Sequence, residues 1–225
     1  LGVVGRYRFE YLLWVQAIIT AVPVLVWRVR LTLGRTSPPP RLASVIPFLL
    51  VVLCASRFLP PSEYIIGGKD PGGYVNEGVQ LAQRGSITIE DPLVAAVPAS
   101  LRDLFFPSHG RDDYYGIRFM GFPIQDPNTG YVVGQFPHLF PAALALGYGI
   151  DGLTGVRRTT PFLATLGVVA VYLFAAAQFG RTAAAAAAIL LALNVIEAWF
   201  GRYPNTEVVM QLMVFAGLVG VLPWQ

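Results

Sequence analysis

Apolar residues in this chain come in long blocks rather than in alternation with polar ones. A helix that crosses a bilayer needs about 20 mostly apolar residues, within a range of about 17–25. Residues 9–27, 42–59, 160–179, 182–200 and 206–222 meet that length and predict membrane-spanning helices. Pro23 inside the first is tolerable, because neighbouring helices cover the freed carbonyl. The alanine run 183–188 gives the fourth high helix propensity and a surface for close packing. A further stretch, 137–150, is short and broken by Pro141, Gly147 and Gly149. Such a length is ambiguous: it is interfacial or re-entrant more often than spanning, and the non-spanning reading is favoured.

Charge orients this pattern. Residues 28–41 hold Arg28, Arg30, Arg35 and Arg41, no acid, and a three-proline break at 38–40, as in a short cytoplasmic loop. Nine of the 13 acidic residues fall between 60 and 135, which places 60–136 outside the membrane. Within that loop Asp70 and Pro71 open a helix that Gly85 ends, with Asp70 as the N-cap. Val75, Val79 and Ala82 recur at helical spacing and predict a helix lying along the membrane surface. Residues 102–135 are rich in Gly, Pro, Asp and aromatics and read as an ordered loop with turns, not a domain.

Composition agrees with a bilayer protein. The chain is 55% hydrophobic and 13% charged, against about 25% charged in a soluble domain. The arginines are scattered, with no basic patch interleaved with aromatics, so no nucleic acid is expected as a partner. Cys54 is the single cysteine, which excludes an internal disulfide and a site built on several thiolates. The chain starts at Leu1 and stops at Gln225, just after an apolar block, and reads as a piece of a longer protein. The lack of N-glycosylation sequons and the richness in Arg and Ala suggest a bacterial plasma membrane, crossed several times. The expectation is therefore an all-α polytopic membrane protein in three parts: residues 1–59 with two spans, the outer loop 60–136, and 137–225 with the interfacial segment and three spans.

Candidate chemistry is sparse. Asp70 stands just before Pro71-Gly72-Gly73-Tyr74, where a substrate can approach the backbone closely, and a helix N-terminus is a seat for a phosphate. Simple helix capping explains it equally well. Tyr74 and Glu77 follow one and two turns on, on nearly the same face; a solvated Glu77 is an equal alternative. Arg202-Tyr203-Pro204-Asn205-Thr206-Glu207 lies between the fourth and fifth blocks. Pro204 and an Asn205 or Thr206 cap account for it structurally. Functionally, Asn205 and Glu207 facing Asp70 would share a phosphate or a hard divalent cation, Mg²⁺ or Mn²⁺. His138 at the end of the loop is more often structural than catalytic, and His109 reads as solvated. Glu197 lies inside the fourth block, where an ionisable group is functional by default or pairs with a neighbour such as Arg202. No G-x-S-x-G, Walker, H-E-x-x-H or dinucleotide motif is present.

Gly67-Gly68-Lys69-Asp70-Pro71-Gly72-Gly73-Tyr74, followed by Leu81-Ala82-Gln83-Arg84-Gly85-Ser86-Ile87, resembles the first outer loop of the C-fold membrane glycosyltransferases. These include protein O-mannosyltransferases, the aminoarabinose transferase of lipid A and the catalytic subunit of oligosaccharyltransferase. Gln135-Phe136-Pro137-His138-Leu139-Phe140-Pro141 is similar to the segment that closes that loop, and Val156-Arg157-Arg158, Phe179-Gly180-Arg181 and the Arg202–Glu207 motif follow in the family's order. The resemblance covers residues 60–222. It implies a C-fold-like helical bundle whose large first extracytoplasmic loop carries juxtamembrane helices. It implies transfer of a sugar from a polyprenyl-phosphate donor to a glycan, lipid or protein acceptor on the outer face. Asp70 maps onto the family's first-loop carboxylate, its catalytic base or a neighbour of its metal. Tyr74, Glu77, His138 and Arg202 then serve the substrate, and Asp70, Asn205 and Glu207 a metal. Many relatives carry a Pro-Asp pair where this chain has Asn205. The other readings are a secondary transporter or lipid flippase, with acids near mid-membrane, and a noncatalytic membrane scaffold.

Overall fold

The computed structural model describes residues 8–11, 14–15, 17–18, 45–59, 61–62, 69–107, 116–119 and 121–221. The chain divides into two units, Leu1–Leu12 with Glu63–Val156 and Leu13–Ser62 with Arg157–Gln225.

The first unit holds a sheet that the apolar pattern does not announce. Strands β1 (Thr88–Glu90), β2 (Ile117–Phe119), β3 (Phe122–Asp126) and β4 (Tyr131–Val133) pair antiparallel in the order β1-β4-β3-β2. Thr88 pairs with Val133 and Ile124 with Val132, with register shifts within the β2–β3 and β3–β4 pairs. Val94, Phe106, Phe122, Ile124 and Val132 form a buried cluster on this sheet, flanked by Ile89 and Val97. Residues 102–107, 116–119 and 121–135 are thus parts of a packed α+β body, and the all-α expectation is corrected here. The strands are three to five residues long. That is too short, and too interrupted by register shifts, to print a period-2 pattern.

Asp91 ties the sheet to the helix that follows. Its Oδ1 accepts the Leu93 N–H at 2.9 Å and caps Pro92–Ala95, while its Oδ2 takes the Arg118 Nε–H at 2.7 Å. Partial burial raises its pKa, but Arg118 and the backbone N–H groups outweigh this and hold it below the usual aspartate value. Replacing Asp91 by Ala removes a cap worth about 0.5–2 kcal/mol. Its folded-state pKa is depressed, so the contribution is present above the ordinary aspartate value and lost as pH falls through the folded one. Thermal unfolding of D91A against the parent at neutral and acid pH checks both the size and the sign.

The Lys69–Arg84 helix begins before Asp70, so Asp70 sits in its first turn and is not the N-cap. Gly85 ends it as read, at φ 74° with its N–H on Leu81 O at 2.9 Å. The helix does not lie free on a membrane surface. Tyr74, Val75, Glu77 and Leu81 are all buried, and Leu81 packs with Ala142, Ala145 and Ile87. A Cβ on Gly78 would stand 2.7 Å from Leu144 Cβ and 3.0 Å from Pro141 O, so only glycine permits this approach of the 139–150 helix.

In the second unit Ile46–Phe58 packs on Arg181–Leu193, whose Ala184, Ala188 and Ala192 form a buried stripe at i, i+4, i+8. The Phe58 ring closes on Gly201, where a Cβ would meet its Cδ1 at 3.0 Å. Large apolar side chains including Phe48, Leu190, Ile196 and Met210 remain exposed.

The five expected spans do not appear as such. Among the described residues one helix, Leu139–Phe179, is long and apolar enough to cross a membrane by length and composition. It bends at Asp151 and Gly152, whose non-helical dihedrals (φ 53° at the glycine) separate residues 139–150 from 153–179. Of the ambiguous stretch 137–150, residues 139–150 are therefore helical. Ile46–Phe58 and Arg181–Leu193 have 13 residues each and Glu207–Val221 has 15, short of a span. The fourth block is divided at Asn194, whose side chain caps Val195–Phe200 by accepting the Ile196 N–H at 2.8 Å. Most of the first block, and the arginine loop 28–41, lie outside the described residues. The several-times-crossed, polytopic expectation is corrected accordingly.

Candidate functional site

The Lys69–Arg84 helix sets one row of residues: Asp70, Tyr74 and Glu77 at i, i+4 and i+7. Asp70 is exposed, Tyr74 is buried, and Glu77 is 1% exposed. The solvated alternative for Glu77 is overturned. Burying a carboxylate without a partner is costly, and its partner is His138, whose Nδ1 contacts Glu77 Oε1. The histidine side chain is 37% exposed, so the pair runs from a buried carboxylate to a partly open ring.

Aromatic packing holds this geometry. The Tyr74 ring lies 4.6 Å from Phe136 and 5.3 Å, edge-on, from Phe140. Those two residues bracket His138, so Tyr74 clamps the segment that carries it. Its neighbours are glycines for steric reasons. A Cβ on Gly134 would fall on the Glu77 carboxylate, and a Cβ on Gly73 would stand 3.2 Å from the Phe136 ring. Glu77 Oε2 is buried with no hydrogen-bond partner among the described residues. The next polar residue inward, Gln80, donates to Ser86 O at 3.2 Å and Ile87 O at 3.4 Å, fastening the turn after the helix.

Burial pushes the Glu77 carboxyl above its ordinary value, against the opposing hydrogen bond and charge of His138. A raised native pKa means stability that is full below the unfolded value and lost as pH rises through the native one. The advantage of Glu77 over Gln at this position should therefore shrink as pH rises from the ordinary glutamate value through the raised native one. Melting curves of E77Q and the parent across that range test this; a pH-independent gap would refute the raised carboxyl.

The Arg202–Glu207 motif belongs to the second unit. Arg202 O accepts the Ser62 N–H at 3.1 Å, and Trp199 stacks on Tyr203 at 5.5 Å. Asn205 Oδ1 accepts the Thr206 N–H at 3.0 Å, and Thr206 O accepts the Met210 N–H as Glu207–Val221 begins. Arg202 and Glu207 are exposed and Pro204 is buried. Glu197 is 9% exposed and accepts the Gln211 Nε2–H at 3.0 Å. The three residues expected to share a cation are distributed between the units, Asp70 in the first and Asn205 and Glu207 in the second. Among the described residues no group of three or more His, Cys, Asp or Glu stands ready to hold a metal ion. His109 and Gly67-Gly68 lie outside the described residues.

The structure joins Tyr74, Glu77 and His138, which the sequence offered as separate substrate contacts, and leaves Asp70 open at the end of the same row. Gly134, which leaves room for the pair, carries no signal in the linear pattern. No family model, no curated protein and no solved structure matches this chain.

Proposed function

We propose that this chain is a membrane glycosyltransferase that moves a sugar from a polyprenyl-phosphate donor to an acceptor hydroxyl at the outer face of a bacterial plasma membrane. The observation that carries the reading is the row on the Lys69–Arg84 helix: an exposed carboxylate, Asp70, above a buried Tyr74 and Glu77, with the partly open His138 held on Glu77. A base that must meet an incoming acceptor has to be accessible, and the residues that define its site have to be rigid. The resemblance of 67–74 and 135–141 to the C-fold enzymes supports the same assignment. The Leu139–Phe179 helix and the exposed apolar side chains of the second unit support a seat in the bilayer, where a prenyl tail stays while its head reaches the site.

In the transfer Asp70 takes the acceptor's proton as the acceptor oxygen bonds to the anomeric carbon. The bond from that carbon to the donor's phosphate oxygen breaks, and its electron pair stays on the phosphate. Attack opposite the leaving group inverts the carbon. Phosphate leaves as a stable anion and needs no strong acid.

The test is donor turnover by the protein in phospholipid nanodiscs. Prenyl-phosphate hexoses and pentoses labelled in the sugar are supplied with a panel of hydroxyl acceptors, and released prenyl monophosphate is counted. Release that depends on protein and acceptor supports transfer. Absence of release with every donor, together with solute uptake in liposomes, would favour a transporter and sink the proposal.

A further inference from the structure

We infer that His138 is the group that meets the donor's phosphate, and that Glu77 is the residue that positions it. The inference rests on the lipid-phosphate reading and names the residue of the site that would take the charged half of the donor. Glu77 holds Nδ1 of the ring from inside the protein, which leaves Nε2, on the opposite edge, as the ring's remaining polar atom. No described residue hydrogen-bonds Nε2, and the side chain is open enough for a ligand to reach it. A carboxylate on one nitrogen fixes the ring's orientation and balances the charge of an imidazolium, whose second N–H is a strong donor to a phosphate oxygen. Phe136 and Phe140, locked on Tyr74, keep the ring from following its ligand.

Asp70 and the Glu77 that holds His138 lie seven positions apart on one helix, about 10 Å along its axis at about 1.5 Å per residue, so the base and the phosphate ligand do not compete for one place. An in-line displacement needs its base and its phosphate ligand on opposite sides of the reacting carbon, each a hydrogen bond of about 2.6–3.2 Å beyond the reacting oxygens. As the carbon–oxygen bond breaks, the phosphodiester monoanion becomes a monoester dianion. His138 donates a hydrogen bond to the oxygen that gains this charge, while the acceptor's proton goes to Asp70. A donor aimed at charge that develops in the transition state contributes more than one aimed at the ground state.

The chain has two histidines, so its ¹⁵N-histidine spectrum holds two sets of ring signals, and H138Q assigns them. The experiment titrates farnesyl phosphate, with farnesol as the uncharged control, into the ¹⁵N-histidine protein in nanodiscs. Farnesyl phosphate should move the Nε2 signal of His138 and leave His109 unmoved, and farnesol should move neither. H138Q should bind farnesyl phosphate about tenfold more weakly or worse, the loss of one hydrogen bond to a charged group. E77Q should shift the Nδ1 signal in any case, and should also weaken the response of Nε2 to phosphate, which a merely structural Glu77 would not do. If H138Q and the parent bind farnesyl phosphate alike, the inference fails while the lipid-phosphate reading stands. If the parent binds farnesyl phosphate no better than farnesol, both fail. Should H138Q not fold, H109Q assigns the signals and the parent's spectrum decides: farnesyl phosphate bound with the His138 Nε2 unmoved overturns the assignment.

Discussion

Asp70→Asn should lower sugar transfer by about 10²–10⁴-fold, the usual contribution of a positioned base, and leave the fold intact. The two effects separate because Asp70 is exposed and sits in the first turn of a helix held elsewhere. What the helix loses is the favourable meeting of a carboxylate with its N-terminal dipole, about 0.3–1 kcal/mol. That displaces the melting temperature by a few degrees at most in a chain of this size. The loss should fall on kcat more than on KM, since an amide of the same shape still fills the site but accepts no proton. Asp103→Asn, an exposed carboxylate in the short Arg102–Phe105 helix, should leave transfer unchanged and serves as the charge control. D70N turning over at more than half the parental rate would remove Asp70 from the chemistry.

The row from Asp70 to Glu77 could be read from spacing alone, because i, i+4 and i+7 fall on one helical face whatever the rest of the chain does. Gly85 could be read as the stop because a positive φ after an apolar-periodic run is what glycine supplies. The burial of Glu77 could not. It depends on a histidine 61 positions away, and on Gly134 leaving room for the carboxylate. Local sequence carries neither fact, and a glutamate on a helix is solvated far more often than not. The sheet escaped for a related reason. Thr88 finds its partner in Val133, and the apolar residues that bury it (Val94, Phe106, Phe122, Ile124, Val132) are spread singly through a stretch dense in turn residues. Block hydropathy registers long apolar runs, so it overstated the spans and passed over a core assembled from isolated positions. The second and fourth blocks show the limit of that measure. Arg181–Leu193 is apolar throughout its length yet ends at Asn194, whose side chain starts a new helix.

Gly134→Ala should destabilise the first unit by roughly 3 kcal/mol, and most of that loss should vanish when Glu77 is also Ala. The added Cβ falls on the Glu77 carboxylate, and overpacking of a rigid interior typically costs about 1–3 kcal/mol. Displacing the carboxylate from His138 adds the penalty of a buried charge without its partner. The backbone has little freedom to retreat. Gln135 N–H is bonded to Gly121 O at 3.0 Å, a Cβ on Gly121 would already stand 3.3 Å from Gly73 Cα, and Gly73 is closed on its other side by the Phe136 ring. Glu77→Ala empties the space the methyl group needs, so G134A in the E77A background should cost less than about 1 kcal/mol. The coupling between the two positions should then reach about 2 kcal/mol, far beyond the few tenths seen for independent sites. Denaturant unfolding of the parent, the two single variants and the double variant measures it. Additive losses would mean that the strand end and the helix do not meet at Glu77, and the clamp that holds His138 against it would have to be redrawn.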